Sequence, residues 1–138
     1  MTLYKHYTTI SLNPKGYLMP HLVLEYSANI SEKSNFKALF AKCHQLLVEQ
    51  LPTELASCKS RAIQQSDFYL GDGNTHNAFV HLQIKVLPGR TTEKLHNIGN
   101  NILPLLKDHF AHSLQTLNLQ ISLEIQDLSA NYFKLAAL

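Results

Sequence analysis

The chain has 138 residues, 45% of them hydrophobic and 16% charged, with a formal net charge of +2. That length suits one compact domain with a core of its own and is short for two. Lysine and arginine are scattered rather than striped, which argues against a nucleic-acid partner; no apolar run approaches the roughly 20 residues of a membrane span, so a soluble protein is expected.

Residues 1–19 differ from the rest of the chain. They hold Lys5, His6 and Lys15, no acidic residue, three tyrosines and a Pro14-Lys15-Gly16 turn signal. No apolar stretch there has the length of a signal peptide, and arginine is absent. The segment reads as an extension from an upstream start codon or from expression, able to form an ordered arm, with residues 20–138 as a single domain. Met19-Pro20 reads as a second start. A chain beginning at Pro20 has a secondary amine usable as a base near neutral pH, whereas any preceding residue makes that nitrogen an amide.

His21 to Ser27 alternates, with Leu22, Leu24 and Tyr26 on one face and Val23 on the other, and predicts a strand. Asn29, Ser31 and Ser34 are candidate N-caps for a helix whose apolar stripe is Phe36, Leu39, Phe40, Cys43, Leu46 and Leu47. Pro52 stops it. Residues 58–70 are expected to be extended, ending in a Gly71-Asp72-Gly73-Asn74 turn. Ala78–Leu87 predicts a strand with Val80, Leu82, Ile84 and Val86 on one face, broken by Pro88-Gly89. Thr91 is the next N-cap, Glu93 suits the first turn, and Leu95, Ile98, Ile102, Leu105, Leu106 and Phe110 form the buried stripe of a second helix. Pro104 is expected to kink or split it. Leu117, Leu119, Ile121, Leu123 and Ile125 alternate with polar residues as a last strand, and residues 131–138 read as a short tail.

The halves repeat. His21-Leu22 recurs as His81-Leu82, and Ser31-Glu32-Lys33 as Thr92-Glu93-Lys94 with one residue of slippage. Each half is a strand–helix–strand unit with a right-handed crossover. Together they predict an α+β fold: a four-stranded mixed sheet with two helices on one face. The bare opposite face predicts an oligomer. Cys43 and Cys58 have no metal-ligand spacing, and Cys43 lies on an apolar helix face, so reduced thiols in a reducing cytoplasm are expected.

Pro20 aligns with Val80 in the repeat, so one half alone carries the proline. By itself Pro20 is an ordinary residue just before a strand, where a missing donor does no harm. His109 and His112 have no third metal ligand at useful spacing. Gly71-Asp72-Gly73 lacks the strand-to-helix context of a phosphate loop. His21 and His81 occupy matched strand positions and read as sheet-face or interface residues, His21 with the added capacity to tune the neighbouring nitrogen.

The pattern from Pro20 resembles the 5-carboxymethyl-2-hydroxymuconate isomerase family of the tautomerase superfamily over nearly all of residues 20–135. The resemblance is carried by Met19-Pro20-His21-Leu22-Val23-Leu24-Glu25, Leu39-Phe40-Ala41-Lys42, Lys59-Ser60-Arg61, Asp72-Gly73, Ala78-Phe79-Val80-His81, Gly89-Arg90, His109-Phe110-Ala111 and Asn131-Tyr132-Phe133-Lys134. It implies a homotrimer and a cofactor-independent isomerase, with no metal, acting on an unsaturated di- or tricarboxylate dienol from aromatic-compound breakdown. Pro20 would be the base, its pKa lowered by apolar surroundings and nearby cations. Arg90 matches a family arginine after the third strand and would hold a carboxylate. Two further arginines, two apart in the family, fall on Lys59 and Arg61, of which the family implicates the first; lysine keeps the charge and loses the planar fork. Two other readings remain: a relative acting on another keto–enol substrate, and a non-catalytic oligomeric module binding a small anion because residues 1–19 block Pro20.

Overall fold

A computed structural model describes residues 7–9 and 19–137. The alternation at 21–27 does form a strand. After the short β1 (Tyr7–Thr9) come β2 (His21–Ser27), α1 (Phe36–Gln50), β3 (Lys59–Gln65), β4 (Asn77–Val86), α2 (Thr92–His109), α3 (Ala111–Thr116), β5 (Asn118–Asp127) and β6 (Leu135–Ala137). The main sheet has the order β3-β2-β4-β5; β2 and β3 are parallel, β4 and β5 are parallel, and the central pair β2–β4 is antiparallel. Val23 and Gln83, sixty positions apart like the repeated histidines, face each other in that central pair.

One sheet face is apolar and covered. Leu22, Leu24, Tyr26, Val80, Leu82, Ile84 and Val86 pack with Leu39, Cys43 and Leu47 of α1 and Ile98, Ile102 and Leu106 of α2. Each fully buried leucine contributes about 1.5–3 kcal/mol by leaving water. Burial pushes the Cys43 thiol up to about 12, so it packs as a small hydrophobe. The strands β2-α1-β3 and β4-α2-β5 form the two expected units, with both helices on the same face.

Two expectations need correction, and two segments are resolved into shorter strands. Helix α2 is not split at Pro104: it runs through to His109. Pro104 and Asn100, whose carbonyl it leaves without a donor, lie on the exposed side, while the Ile98, Ile102 and Leu106 stripe holds the helix down. The break comes instead at the fully buried Phe110, which caps both α2 and α3. The N-cap of α1 is Asn35, without a side-chain bond, rather than Asn29, Ser31 or Ser34. Within the extended 58–70 segment only Lys59–Gln65 is strand. The tail contains β6, which pairs antiparallel with β1. Thr91 does cap α2, its Oγ1 accepting from the Lys94 N–H at 3.1 Å.

Glu32 departs from its repeat partner Glu93. Its carboxylate leaves α1 and accepts from both the N–H (3.0 Å) and the hydroxyl of Ser113, at the start of α3. The Ser31 N–H donates to the same Ser113 Oγ at 3.1 Å. This clamp joins the β2–α1 loop to the α2–α3 junction. Burial raises the Glu32 pKa, but the hydrogen bonds from Ser113 and Ser31 outweigh it and hold the carboxyl below 4.5. Stability from this depressed pKa is present above the unfolded value and lost as pH falls through the folded one. Ser113→Ala is expected to destabilise the fold by about 1–3 kcal/mol, since it strips a fully buried hydroxyl from a charged acceptor. Urea unfolding at pH 7 and pH 3 checks both effects: the Ser113→Ala deficit should shrink at the lower pH.

Candidate functional site

Strand directions decide what meets at the start of β2. Because β2 and β4 are antiparallel with His21 opposite Lys85, the β2 start lies beside the end of β4. Parallel pairing with His21 opposite Lys59 brings the start of β3 there as well. The chain leaving β5 returns to the same end, where the Leu128 N–H donates to the Val86 carbonyl at 2.7 Å. Pro20, Lys59 and Arg90 are therefore gathered at one end of the sheet, although they are widely separated in sequence.

Pro20 is buried, and its carbonyl accepts from the Lys59 N–H at 3.1 Å, extending the β2–β3 ladder by one rung. Met19 beside it is 1% exposed, and in this chain the Pro20 nitrogen belongs to the Met19–Pro20 amide, which has no basicity. Gly89 has φ 111°, a region side chains rarely adopt, and this turn carries the half-buried Arg90 back toward α2.

Lys59 and Arg61 point to the sheet face opposite the helices, as the two-residue strand period requires, and Ser60 faces α1, where its hydroxyl lies 2.6 Å from His44 Nε2. Lys59 Nζ donates to the Ser57 carbonyl at 3.2 Å. Arg61 Nη1 donates to His21 Nδ1 at 3.2 Å. A guanidinium only donates, so neutral His21 carries its proton on Nε2 and donates it to Tyr132 Oη at 2.8 Å. Burial, followed by the charges of Lys59, Arg61, Lys134 and Lys85, holds His21 below 6.5 and so favours this neutral form. Burial also lowers Lys59, helped by Lys134 and then Arg61 and opposed by Cys58.

The structure thus unites Pro20 and Lys59 directly, ties Arg61 to His21, and sets Arg90 at the same end. Tyr132 and Lys134 are functional candidates that spacing alone did not reveal. Tyr132 is 111 positions from His21, and only the pairing of β5 with β4 returns the tail there. His109 stacks on Phe36 and hydrogen-bonds the Glu32 backbone, a packing role. Gly71 and Gly73 have φ 58° and 81° in a turn. Among the described residues no group of three His, Cys, Asp or Glu is placed to hold a metal, and no helix is long and apolar enough to cross a membrane. A surface depression of about 780 Å3 between α2 and β5 contains none of the site residues.

A sequence model described as 5-carboxymethyl-2-hydroxymuconate isomerase matches residues 20–137. The chain is 34% identical over 110 residues to the 5-carboxymethyl-2-hydroxymuconate Delta-isomerase of Escherichia coli, covering 80% of this chain and 87% of that protein. It is similar to the crystal structure of a 5-carboxymethyl-2-hydroxymuconate isomerase from Deinococcus radiodurans R1, with a TM-score of 0.79 and 32% identity over 88% of this chain and 92% of the other. A second solved 5-carboxymethyl-2-hydroxymuconate delta-isomerase, 17% identical, shares the fold with a TM-score of 0.74 over 86% of this chain and 87% of its own.

If neighbouring cations contribute to the lowered His21 pKa beyond burial, Lys59→Met should raise its titration midpoint toward 6.5. An NMR pH titration of the imidazole measures this; an unmoved midpoint would assign the shift to burial and the other charges.

Proposed function

The chain belongs to the 5-carboxymethyl-2-hydroxymuconate isomerase family, and from that premise we propose that Pro20 is the base of its reaction. The reaction is the isomerisation that names the family, the movement of a proton within an unsaturated dienol carboxylate. An amine with pKa near the working pH takes the enol proton and returns it at a distant carbon. Burial and cations disfavour the charged amine and bring its pKa toward neutrality. The observation that supports the assignment is the convergence of Pro20, Lys59 and Arg90 at one end of the sheet.

Arg90 is assigned to a substrate carboxylate, and its guanidinium draws electron density toward it. Lys59 is assigned to the second anionic group, with Arg61 supporting it from the next rung. An amine base with cations suffices for a proton shift, so the reading assigns no cofactor. It requires that Pro20 be N-terminal, hence that residues 1–19 be removed. We assign the bare sheet face to contacts within a homotrimer, in which a neighbouring chain's cations can reach Pro20. The free thiols Cys43 and Cys58 fit a cytoplasmic enzyme of aromatic-compound breakdown. A second reading, another keto–enol substrate, is favoured by Lys59, which offers a point charge where the family pattern has a planar fork.

Intact mass of the protein from its native gene should show a chain beginning at Pro20. In that chain Pro20→Ala is expected to lower kcat by about 10²–10⁴-fold, with oligomeric state by light scattering unchanged. Arg90→Ala should raise KM about tenfold or more, the loss of a charge-assisted contact. A native chain that keeps residues 1–19 and is inactive on dienol carboxylates would favour the non-catalytic anion-binding module.

A further inference from the structure

We propose that Lys134 is a further substrate-binding cation of the Pro20 site, delivered there by the Tyr132–His21 hydrogen bond, and that it takes the third carboxylate of a tricarboxylate substrate. This rests on the reading of that end of the sheet as the substrate site. It goes beyond the cations already assigned, Lys59, Arg61 and Arg90.

The tail is held in place rather than merely adjacent. Leu128 closes on Val86, and the Asn131 N–H donates to Ser129 Oγ at 3.0 Å. Tyr132 then meets His21 edge-on, its ring centre 5.7 Å away at 76°, with its hydroxyl on Nε2. From Tyr132 the chain alternates half-buried, exposed, half-buried, with Phe133 71% exposed. In extended chain that two-residue period puts Lys134 on the side of Tyr132, facing the site. Its charge accordingly bears on both His21 and Lys59.

The surroundings call for an anion. Lys59, His21 and Lys85 form one row across three neighbouring strands of the bare face, with Arg61 on the next rung. The charges that act on His21 are all cationic: Lys59, Arg61, Lys134 and Lys85. Two carboxylates share this face: Glu25, two rungs from His21 and one from Arg61, is bonded to Gln65 at 3.1 Å, and Glu124 on β5 is held by His81 and Gln83. Cations concentrated in this way repel one another, and a polyanion relieves the repulsion. Arg61 has committed a donor to His21, so the residue that complements Lys59 toward solvent is Lys134. A muconate bearing a carboxymethyl group has three carboxylates, which Arg90, Lys59 and Lys134 match one for one.

Calorimetric titration of the protein as produced from its native gene with two unreactive ligands, tricarballylate (three carboxylates) and glutarate (two), tests the assignment. The wild-type chain should bind tricarballylate more tightly than glutarate. Lys134→Met should weaken tricarballylate about tenfold, the loss of one charge-assisted contact, and leave glutarate nearly unchanged. Lys134→Arg should restore the preference. Tyr132→Phe should show the same selective loss in smaller degree, and Lys107→Met, on the exposed side of α2, none. Equal binding of tricarballylate by wild type and Lys134→Met, an equal loss for both ligands, or no binding by the wild-type chain overturns the proposal. Neither ligand carries an enol, so the outcome is independent of Pro20 as base: turnover can fail while the subsite holds, and the reverse.

Discussion

The whole candidate site depends on the antiparallel register of β2 with β4. Leu22, Leu24 and Tyr26 lie opposite Ile84, Leu82 and Val80, all nearly or fully buried. A slip of one residue would turn these side chains out to water and bring His21, Val23 and Glu25 into the core. Core burial therefore holds the register, and the register sets the beginning of β2 against the end of β4. Pro20 and the turn carrying Arg90 lie at the same end because burial of hydrophobic residues elsewhere on the strands fixes this pairing.

The two faces of the sheet divide the work. The helix-covered face supplies stability through close-packed aliphatic side chains, with even the Cys43 thiol kept neutral by its surroundings. The opposite face, uncovered by helices among the described residues, is polar and holds Lys59, Arg61 and His21 of the candidate site. Its two histidines, repeat partners in sequence, have opposite environments. His21 stands among cations and accepts from Arg61, whereas His81 lies between Ser122 (2.7 Å) and the Glu124 carboxylate (3.1 Å). The two halves share backbone and core, while their exposed positions differ and one end is cationic. Val80 belongs to this contrast: it lies in the middle of β4, bracketed by Tyr26 and Ile121, where a proline would remove a ladder hydrogen bond.

Most of the fold was legible because burial and strand geometry leave a periodic trace. The alternation at 117–125 became β5, the Thr91 hydroxyl became a cap, and Cys43 proved fully buried. Where reading failed, a tertiary contact overrode a local preference. Glu32 sits where a helix-start carboxylate is expected, yet it is drawn to Ser113, 81 positions away, which offers two donors in a sheltered place. Pro104 carries a strong helix-breaking signal, but packing on one side and water on the other keep α2 continuous. Of the site, Lys59 and Arg61 could be placed on one face from spacing alone. Tyr132 and Lys134 could not.

The sequence by itself determined the strand–helix–strand repeat and the apolar faces, since these rest on periodicity, a local property, while its motifs pointed to the candidate base and cations through their resemblance to a family. Only the tertiary structure decided which of these residues share a place. The parallel and antiparallel pairings brought Pro20 to Lys59, tied Arg61 to His21, and returned the tail so that Tyr132 closes on His21. Hydrogen bonds and Coulombic fields act over a few ångströms of space, and no spacing along the chain encodes a contact between residues 21 and 132.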